Sequence, residues 1–233
     1  MTFIWTEQRI AWYLAASRYG NFHRQLAAAI RPYLLATDRL CDLGCGLGRL
    51  DLELAPAVAH ITCVDLDEAV LASLRQEAAM AGIGNLTFIR SDVRDIRGMF
   101  DVALMAFFGH PPQMMQDCLK LASRLLIRVA NARSGGSPLK PGGYSGKRET
   151  TEDIAALLDQ AGRSYQLIRE TFEFGQPLVS QAEAAAFLRY NSPAITEPEL
   201  RAFLAESLVA TGRADFPYYL PGSKELGIFI IDA

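Results

Sequence analysis

The sequence predicts an α/β domain, a mostly parallel sheet with helices on both faces. Three observations predict it. Short apolar or β-branched runs alternate with helical patterns through at least four units, as strands joined by crossover helices do. Three alternating glycines, Gly44, Gly46 and Gly48, fall between the first such run and the helical stretch after it. The chain closes on a further apolar strand, Leu226-Gly227-Ile228-Phe229-Ile230-Ile231, about fifty residues after the one before it.

The glycines sit in a recognisable context. Arg39-Leu40-Cys41-Asp42-Leu43 reads as a short buried strand, and Leu47, Leu50, Leu52 and Leu54 open a helical stretch that stops near Pro56. Glycine lets the backbone turn sharply and lets a ligand lie against it, and a helix N-terminus offers unpaired N–H groups. A nucleotide-sized cofactor is the expected occupant. The dinucleotide fingerprint G-x-G-x-x-G needs its third glycine five residues after its first; that position is Arg49. What stands here is Asp42-x-Gly44-x-Gly46-x-Gly48. It resembles motif I of the class I S-adenosylmethionine-dependent methyltransferases at all four positions. The resemblance implies a Rossmann-like seven-stranded sheet, mostly parallel with an antiparallel last strand, and S-adenosyl-L-methionine as cofactor. It places Asp42, Gly44, Cys45, Gly46 and Gly48 against that cofactor.

The second unit is His60-Ile61-Thr62-Cys63-Val64, ending at Asp65, then a helix from Glu68 to Met80 that closes at Gly82. A carboxylate at a strand tip can accept two hydrogen bonds from vicinal hydroxyls, and Asp65 lies 21 residues past Gly44. The resemblance makes Asp65, with Leu66 beside it, the ribose site; Asp67 more naturally caps the helix. After the third strand, Leu86–Arg90, the resemblance makes Asp92-Val93 the adenine site, ahead of Asp95. The fourth strand runs from Phe100 to Ala106, and Ala106 at its tip joins the implied cofactor set.

Chemistry is expected just beyond that tip, at Phe107-Phe108-Gly109-His110-Pro111-Pro112. DNA and protein amino-methyltransferases of related fold carry Asn/Asp-Pro-Pro-Tyr/Phe here. This chain has Gly-His before the prolines and Gln113 after them, so amine methylation on a nucleic-acid base is not supported. Many small-molecule methyltransferases place a histidine near this point, which makes His110 the candidate base, its imidazole titrating near working pH.

Residues 5 to 35 read as two helical pieces broken at Gly20-Asn21. Family members commonly lay such a helix across the cofactor mouth, which makes Tyr13, Tyr19 and His23 candidates to face the ligand; amphipathic packing is the alternative. Beyond the prolines come a helix from Met114 to Ser123, a strand from Arg124 to Ala130 and a Gly/Ser/Pro-rich loop over 131–149. From Arg124 to Arg148 there are six basic residues and no acidic one, either an anchor for a substrate carboxylate or phosphate or a solvated face. Thr150-Thr151-Glu152-Asp153 caps a helix that ends at Gly162, and Tyr165 to Phe172 is the sixth strand. The stretch before the last strand is an insertion with helical patterns over Gln181–Tyr190 and Glu197–Val209. Phe172 to Tyr219 holds eight of the 22 aromatic residues, so the insertion reads as a lid over a small, partly apolar substrate, or as a packing or dimerisation unit using the same rings. One domain is expected: N-terminal helices over 1–36, an α/β core over 37–173 and 225–233, and a helical lid over 174–224.

At 233 residues with 23 basic and 26 acidic side chains, the chain has a full-sized core and no global field to draw in nucleic acid or anionic lipid. Its apolar runs are far too short to span a bilayer. Glu7 precedes the apolar Ile10–Ala16 and no long apolar core follows, so no secretory leader is expected. Four cysteines without a C-x-x-C pair read as reduced core thiols in a cytoplasmic protein, not as a metal site. The expectation is an S-adenosylmethionine-dependent methyltransferase acting on an O, N or C nucleophile of a small molecule. It has no nucleic-acid or membrane partner, and a homodimer fits. The alternatives are a non-catalytic S-adenosylmethionine-binding module and an NAD-type oxidoreductase; Arg49 in the third glycine's place argues against the latter.

Overall fold

The computed structural model of the chain describes residues 5–108, 112–132 and 149–233. Seven strands form one sheet: β1 (Arg39–Leu43), β2 (His60–Asp65), β3 (Leu86–Arg90), β4 (Phe100–Ala106), β5 (Ala122–Asn131), β6 (Tyr165–Glu173) and the last strand, β10 (Ser223–Asp232). Their order is β3-β2-β1-β4-β5-β10-β6. Every pairing from β3 to β5 is parallel, while β10 runs antiparallel to both neighbours. The order reverses between β1 and β4, so their carboxyl ends, Leu43 and Ala106, lie side by side. Open α/β sheets bind their ligands in the crevice beyond such a switch point.

Both faces of the sheet are covered, and the strands show it residue by residue. Leu40, Val102, Leu104, Ile228 and Ile230 point into one core with Phe22, Leu26, Leu50, Leu54 and Leu74. Cys41, Leu43, Ala103, Met105, Phe229 and Ile231 point into the other with Cys118, Ile154 and Leu158. Successive side chains on a strand alternate faces, so a strand buried on both sides is apolar throughout. Helices α2 (Phe22–Ile30), α3 (Arg49–Leu54) and α4 (Glu68–Met80) contribute to the first core, α5 (Pro112–Leu119) and α6 (Thr151–Gln160) to the second. Asp67 caps α4 by accepting from the Ala69 N–H, and Thr150 with Asp153 forms a reciprocal capping box on α6.

A third, smaller core lies outside the sheet. Helix α1 (Glu7–Tyr19) packs Trp12 against Leu178, Phe187, Leu188, Leu200 and Leu220. These belong to α7 (Gln181–Asn191), α8 (Glu197–Ser207) and a three-stranded antiparallel sheet of β7 (Gln176–Leu178), β8 (Val209–Ala210) and β9 (Tyr218–Leu220). The insertion is therefore not wholly helical. The helical pattern ends at Ser207, and Val209 pairs with Tyr219 in the small sheet instead of closing the helix. Helix α1 is fastened to the insertion through Trp12, whose Nε1 donates to Glu183 at 3.1 Å and whose carbonyl accepts from Gln176 at 3.1 Å. No helix among the described residues is long and apolar enough to cross a membrane.

Candidate active site

The glycine turn leaves β1 at Leu43 and is fixed by its own backbone. Gly44 and Cys45 both donate to the Val64 carbonyl on β2, at 2.8 and 2.9 Å, and Gly48 donates to the Cys45 carbonyl. All three glycines have positive φ, 77°, 55° and 57°. A Cβ on Gly44 would stand 2.5 Å from the Phe108 ring, and one on Gly48 would stand 2.2 Å from the Leu74 side chain. At Gly46 the Trp5 indole lies at an ordinary 3.5 Å. The turn thus does two jobs: Gly48 brings the chain close to α4, and Gly44 and Gly46 leave a shelf that flat groups can approach. The expected row of open helix N–H groups is less prominent, because α3 is only six residues long and the N–H groups of Gly44, Cys45 and Gly46 are already bonded.

Asp42 and Asp65 flank this shelf. Asp42 is 3 % exposed, and its Oδ1 is buried with no partner. Burial, and then the neighbouring Asp51 carboxyl, hold its pKa well above the ordinary carboxylate range. Asp51, on α3, is fully buried beside Asp42 and Cys63, and burial pushes it up to about 7. The two carboxyls are close enough to share a proton, as like-charged acids in a dry site do. Asp65 Oδ2 accepts the Gly46 N–H at 2.8 Å and Oδ1 accepts the Asp67 N–H at 3.0 Å, so each oxygen keeps a second lone pair for a hydroxyl. Leu66 beside it is exposed.

The implied adenine side is more tied up. Both Asp92 oxygens are taken by Arg94, one by the backbone N–H and Nε at 2.9 and 3.0 Å, the other by Nη2 at 2.5 Å. This pairing holds the Asp92 carboxyl down at about 2. Val93 is buried and lines a cleft of about 250 Å³ with Ile96, Met114 and Cys118. Ala106 pairs with Val129 at the end of β4. His110, the candidate base, lies outside the described residues.

The N-terminal aromatics divide. Tyr19 stacks on Tyr219, with ring centroids 4.9 Å apart, beneath the Arg213 guanidinium, and so belongs to the contact between α1 and the insertion. Tyr13 packs edge-on to Trp5 at 5.5 Å, and its hydroxyl bonds His23 Nε2 at 2.9 Å. Burial raises the Tyr13 phenol above its usual range and, with Lys224 and Arg49 opposing a positive charge, lowers His23 to about 3. Both therefore stay neutral. Lys224, at the start of β10, has its ammonium 4.3 Å from the centroid of Phe174 and 4.9 Å from those of Phe22 and Phe107. The sequence reading missed Trp5, Phe108, Asp51 and Lys224. Of the six basic residues over Arg124–Arg148, read as a substrate anchor or a solvated face, two make ion pairs within the fold. Arg124 pairs with the buried Asp38, and the buried Arg128 pairs with Glu149 and donates to the Phe108 carbonyl at 3.1 Å. The last ties the β4 tip to the entry of α6.

Known proteins resemble this chain in sequence and in fold. The family model for a methyltransferase domain matches residues 40–128, from β1 through most of β5. A 23S rRNA uracil-C5-methyltransferase, RlmD of Klebsiella pneumoniae strain 342, is 30 % identical over 106 residues, covering 40 % of this chain. The chain spans only 23 % of the length of that relative. A magnesium-protoporphyrin O-methyltransferase of Synechocystis sp. PCC 6803 is 29 % identical over 165 residues, 61 % of this chain and 72 % of that protein. The crystal structure of a magnesium protoporphyrin IX methyltransferase from Synechocystis PCC 6803, with bound S-adenosylhomocysteine, superposes with a TM-score of 0.51 at 18 % identity, covering 97 % of this chain and 89 % of that one. The YcgJ protein of Bacillus subtilis superposes with a TM-score of 0.58 at 14 % identity, covering 89 % of this chain and 98 % of that one. Residues 40–128 thus match a methyltransferase-domain model, and these solved structures share the fold of the sheet.

Proposed function

We propose that the chain transfers the methyl group of S-adenosylmethionine to a small-molecule acceptor. The observation that carries this reading is the meeting, beyond the carboxyl ends of β1, β2 and β4, of a glycine turn with the acid groups of Asp42 and Asp65. The residues fit the cofactor. The unpartnered buried Asp42 Oδ1 suits the ammonium of its amino-acid part, and Asp65 has lone pairs left for the ribose hydroxyls. Val93, with Asp92 if Arg94 yields an oxygen, is our candidate for the adenine, and Ala106 for the cofactor set beside it.

When bound, the cofactor supplies a methyl group on a sulfonium sulfur, whose departure leaves a neutral thioether. No acid is needed for that leaving group, so the protein's part is alignment and exclusion of water. Phe108 against Gly44, Trp5 against Gly46 and the α1–insertion unit provide apolar cover on the side where an acceptor would enter. A small acceptor is favoured over RNA by a net charge of −3 and by the structural use of Arg124 and Arg128. Incubation with methyl-labelled S-adenosylmethionine and a cell extract, separated into RNA and small-metabolite fractions, tests the reading. Label should enter the small-metabolite fraction; label in RNA alone refutes it.

A further inference from the structure

Directly behind the glycine turn the fold buries two carboxyls side by side. Asp42 alternates with Leu40 along β1 and so faces the core that also holds Leu50 and Leu54 of α3. Asp51 stands between those two leucines, 0 % exposed, beside Asp42 and Cys63. Among the described residues, no nitrogen donor bonds Asp42 Oδ1 or either Asp51 oxygen. The titratable groups that face the pair come from every element around it: Cys41 on β1, Cys45 on the turn, Cys63 and Asp65 on β2, and Tyr13 on α1. Arg49, on α3 itself, is paired with Glu77 of α4 at 2.7 Å. Burial raises the Cys41 thiol and the Tyr13 phenol, and it lowers His23, bonded to Tyr13, to about 3. The Cys45–Cys63 hydrogen bond, with burial, raises Cys63. That bond draws Cys45 down, but burial and the nearby carboxyls outweigh it and bring Cys45 up to about 11.

An ionised carboxyl in an apolar core is costly, and a second one beside it more so. Two acids in this setting therefore hold protons until the pair carries at most one charge. A ligand ammonium shifts that balance, because an opposite charge favours the ionised form. Resting on the reading of Asp42 as the partner of the cofactor's ammonium, we propose that Asp51 is a positioning residue for S-adenosylmethionine, acting through Asp42. It keeps one proton and donates it to Asp42 in a hydrogen bond. Asp42 then meets the ammonium as an oriented carboxylate, and no second charge is buried behind it. When the cofactor binds to the doubly protonated pair, one O–H bond breaks and its proton passes to solvent. The other proton stays between the two acids. Cofactor affinity is thereby coupled to pH through Asp51, and it weakens below the pKa of about 7 to which burial brings that acid.

The full chain is titrated calorimetrically with S-adenosylhomocysteine, which carries the same ammonium, at about pH 6 and about pH 7.5, a window its own amino and carboxyl groups do not titrate in. Wild-type affinity should be about fivefold weaker at the lower pH, the loss expected when a group of pKa about 7 must release its proton on binding. Heats compared in phosphate and imidazole buffers, which differ in ionisation enthalpy, should show most of one proton released at the lower pH. Asp51→Asn, and Asp51→Ala as a second replacement, should shrink both the pH dependence and the proton release. Wild-type affinity that is flat across the window, or a dependence and a proton release that survive both replacements, overturns the proposal. Absence of binding to the wild type at either pH would overturn the cofactor assignment, and this proposal with it.

Discussion

The Asp65 carboxylate at the tip of β2 accepts the Gly46 N–H at 2.8 Å, so the acid and the glycine turn form one rigid unit. The same carboxylate accepts the Asp67 N–H, which sets the entry of α4. A residue expected from the sequence to meet the ribose therefore also shapes the shelf beside it. Asp65→Ala should weaken S-adenosylmethionine by roughly 1–3 kcal/mol through the ribose alone, and by more if the shelf relaxes. Asp65→Asn is intermediate, since its amide oxygen can still accept from Gly46 while its NH₂ faces the Asp67 N–H and loses that bond. Calorimetric affinity in the order wild type, Asn, Ala is expected; an Ala variant that binds like the wild type removes Asp65 from the site.

Gly48 is a packing residue. Its φ of 57° and the 2.2 Å approach of Leu74 to its absent Cβ leave alanine both strained and crowded. Gly48→Ala should cost roughly 1–3 kcal/mol of stability. Pairing it with Leu74→Ala should recover part of the loss by opening the space. Chemical denaturation of the two single variants and the double variant measures this coupling, and simple additivity would show that Leu74 is not the neighbour that matters.

Most of the fold was legible because its central strands, β1, β2, β4, β5 and β10, are buried on both faces and so read as largely apolar runs. Helix α4 was bounded correctly at Glu68 and Met80 because Asp67 and Gly82 mark its ends in the sequence. The site was legible only where chemistry is local. Asp42, Gly44, Gly46 and Asp65 lie on short motifs, whereas Trp5, Phe108 and Lys224 reach the same place from far apart in the chain. Asp51 was a missed signal of another kind. It stands four residues after Leu47 and three before Leu54, both buried, so helical spacing already put it on the inner face of α3. The small sheet of the insertion escaped because its strands are two or three residues long, too short to show a period.

Asp51 also gives the protein a pH signature. Its folded pKa of about 7 lies above the ordinary 3.8, so the folded state holds a proton that the unfolded state releases. The stability this contributes is fully present below about pH 4 and is lost as pH rises toward about 7. His23 acts oppositely. Lowered to about 3, it disfavours folding at acid pH, and its cost disappears as pH rises through 6.5. The two effects oppose each other in the wild type, so Asp51→Asn is the informative variant. It removes the acid's titration, and its stability in urea should gain on the wild type as pH is raised from about 4 to about 7. Parallel curves for the two proteins across that window would mean that Asp51 is ionised in the fold.

Trp12 is the point where α1 is fastened to the insertion. The indole is 7 % exposed and lies edge-on to Phe187 and Tyr190, at 5.1 and 5.5 Å, with its Nε1 bonded to Glu183. Trp12→Ala should cost roughly 3–5 kcal/mol, the usual loss for a buried aromatic removed to alanine. Where that cost falls depends on whether the third core opens by itself. It shares Trp12, Leu188 and Leu220 among its own elements, while β1 and β4 are buried in the two cores of the sheet. Local opening is therefore expected: amide exchange in α7 and α8 should speed up in the variant while β1 and β4 keep their protection. S-Adenosylmethionine affinity should then change by less than about tenfold, since Asp42 and Asp65 are not held by Trp12. Equal loss of protection in α7 and in β1 would show instead that the insertion and the α/β core unfold as one cooperative unit.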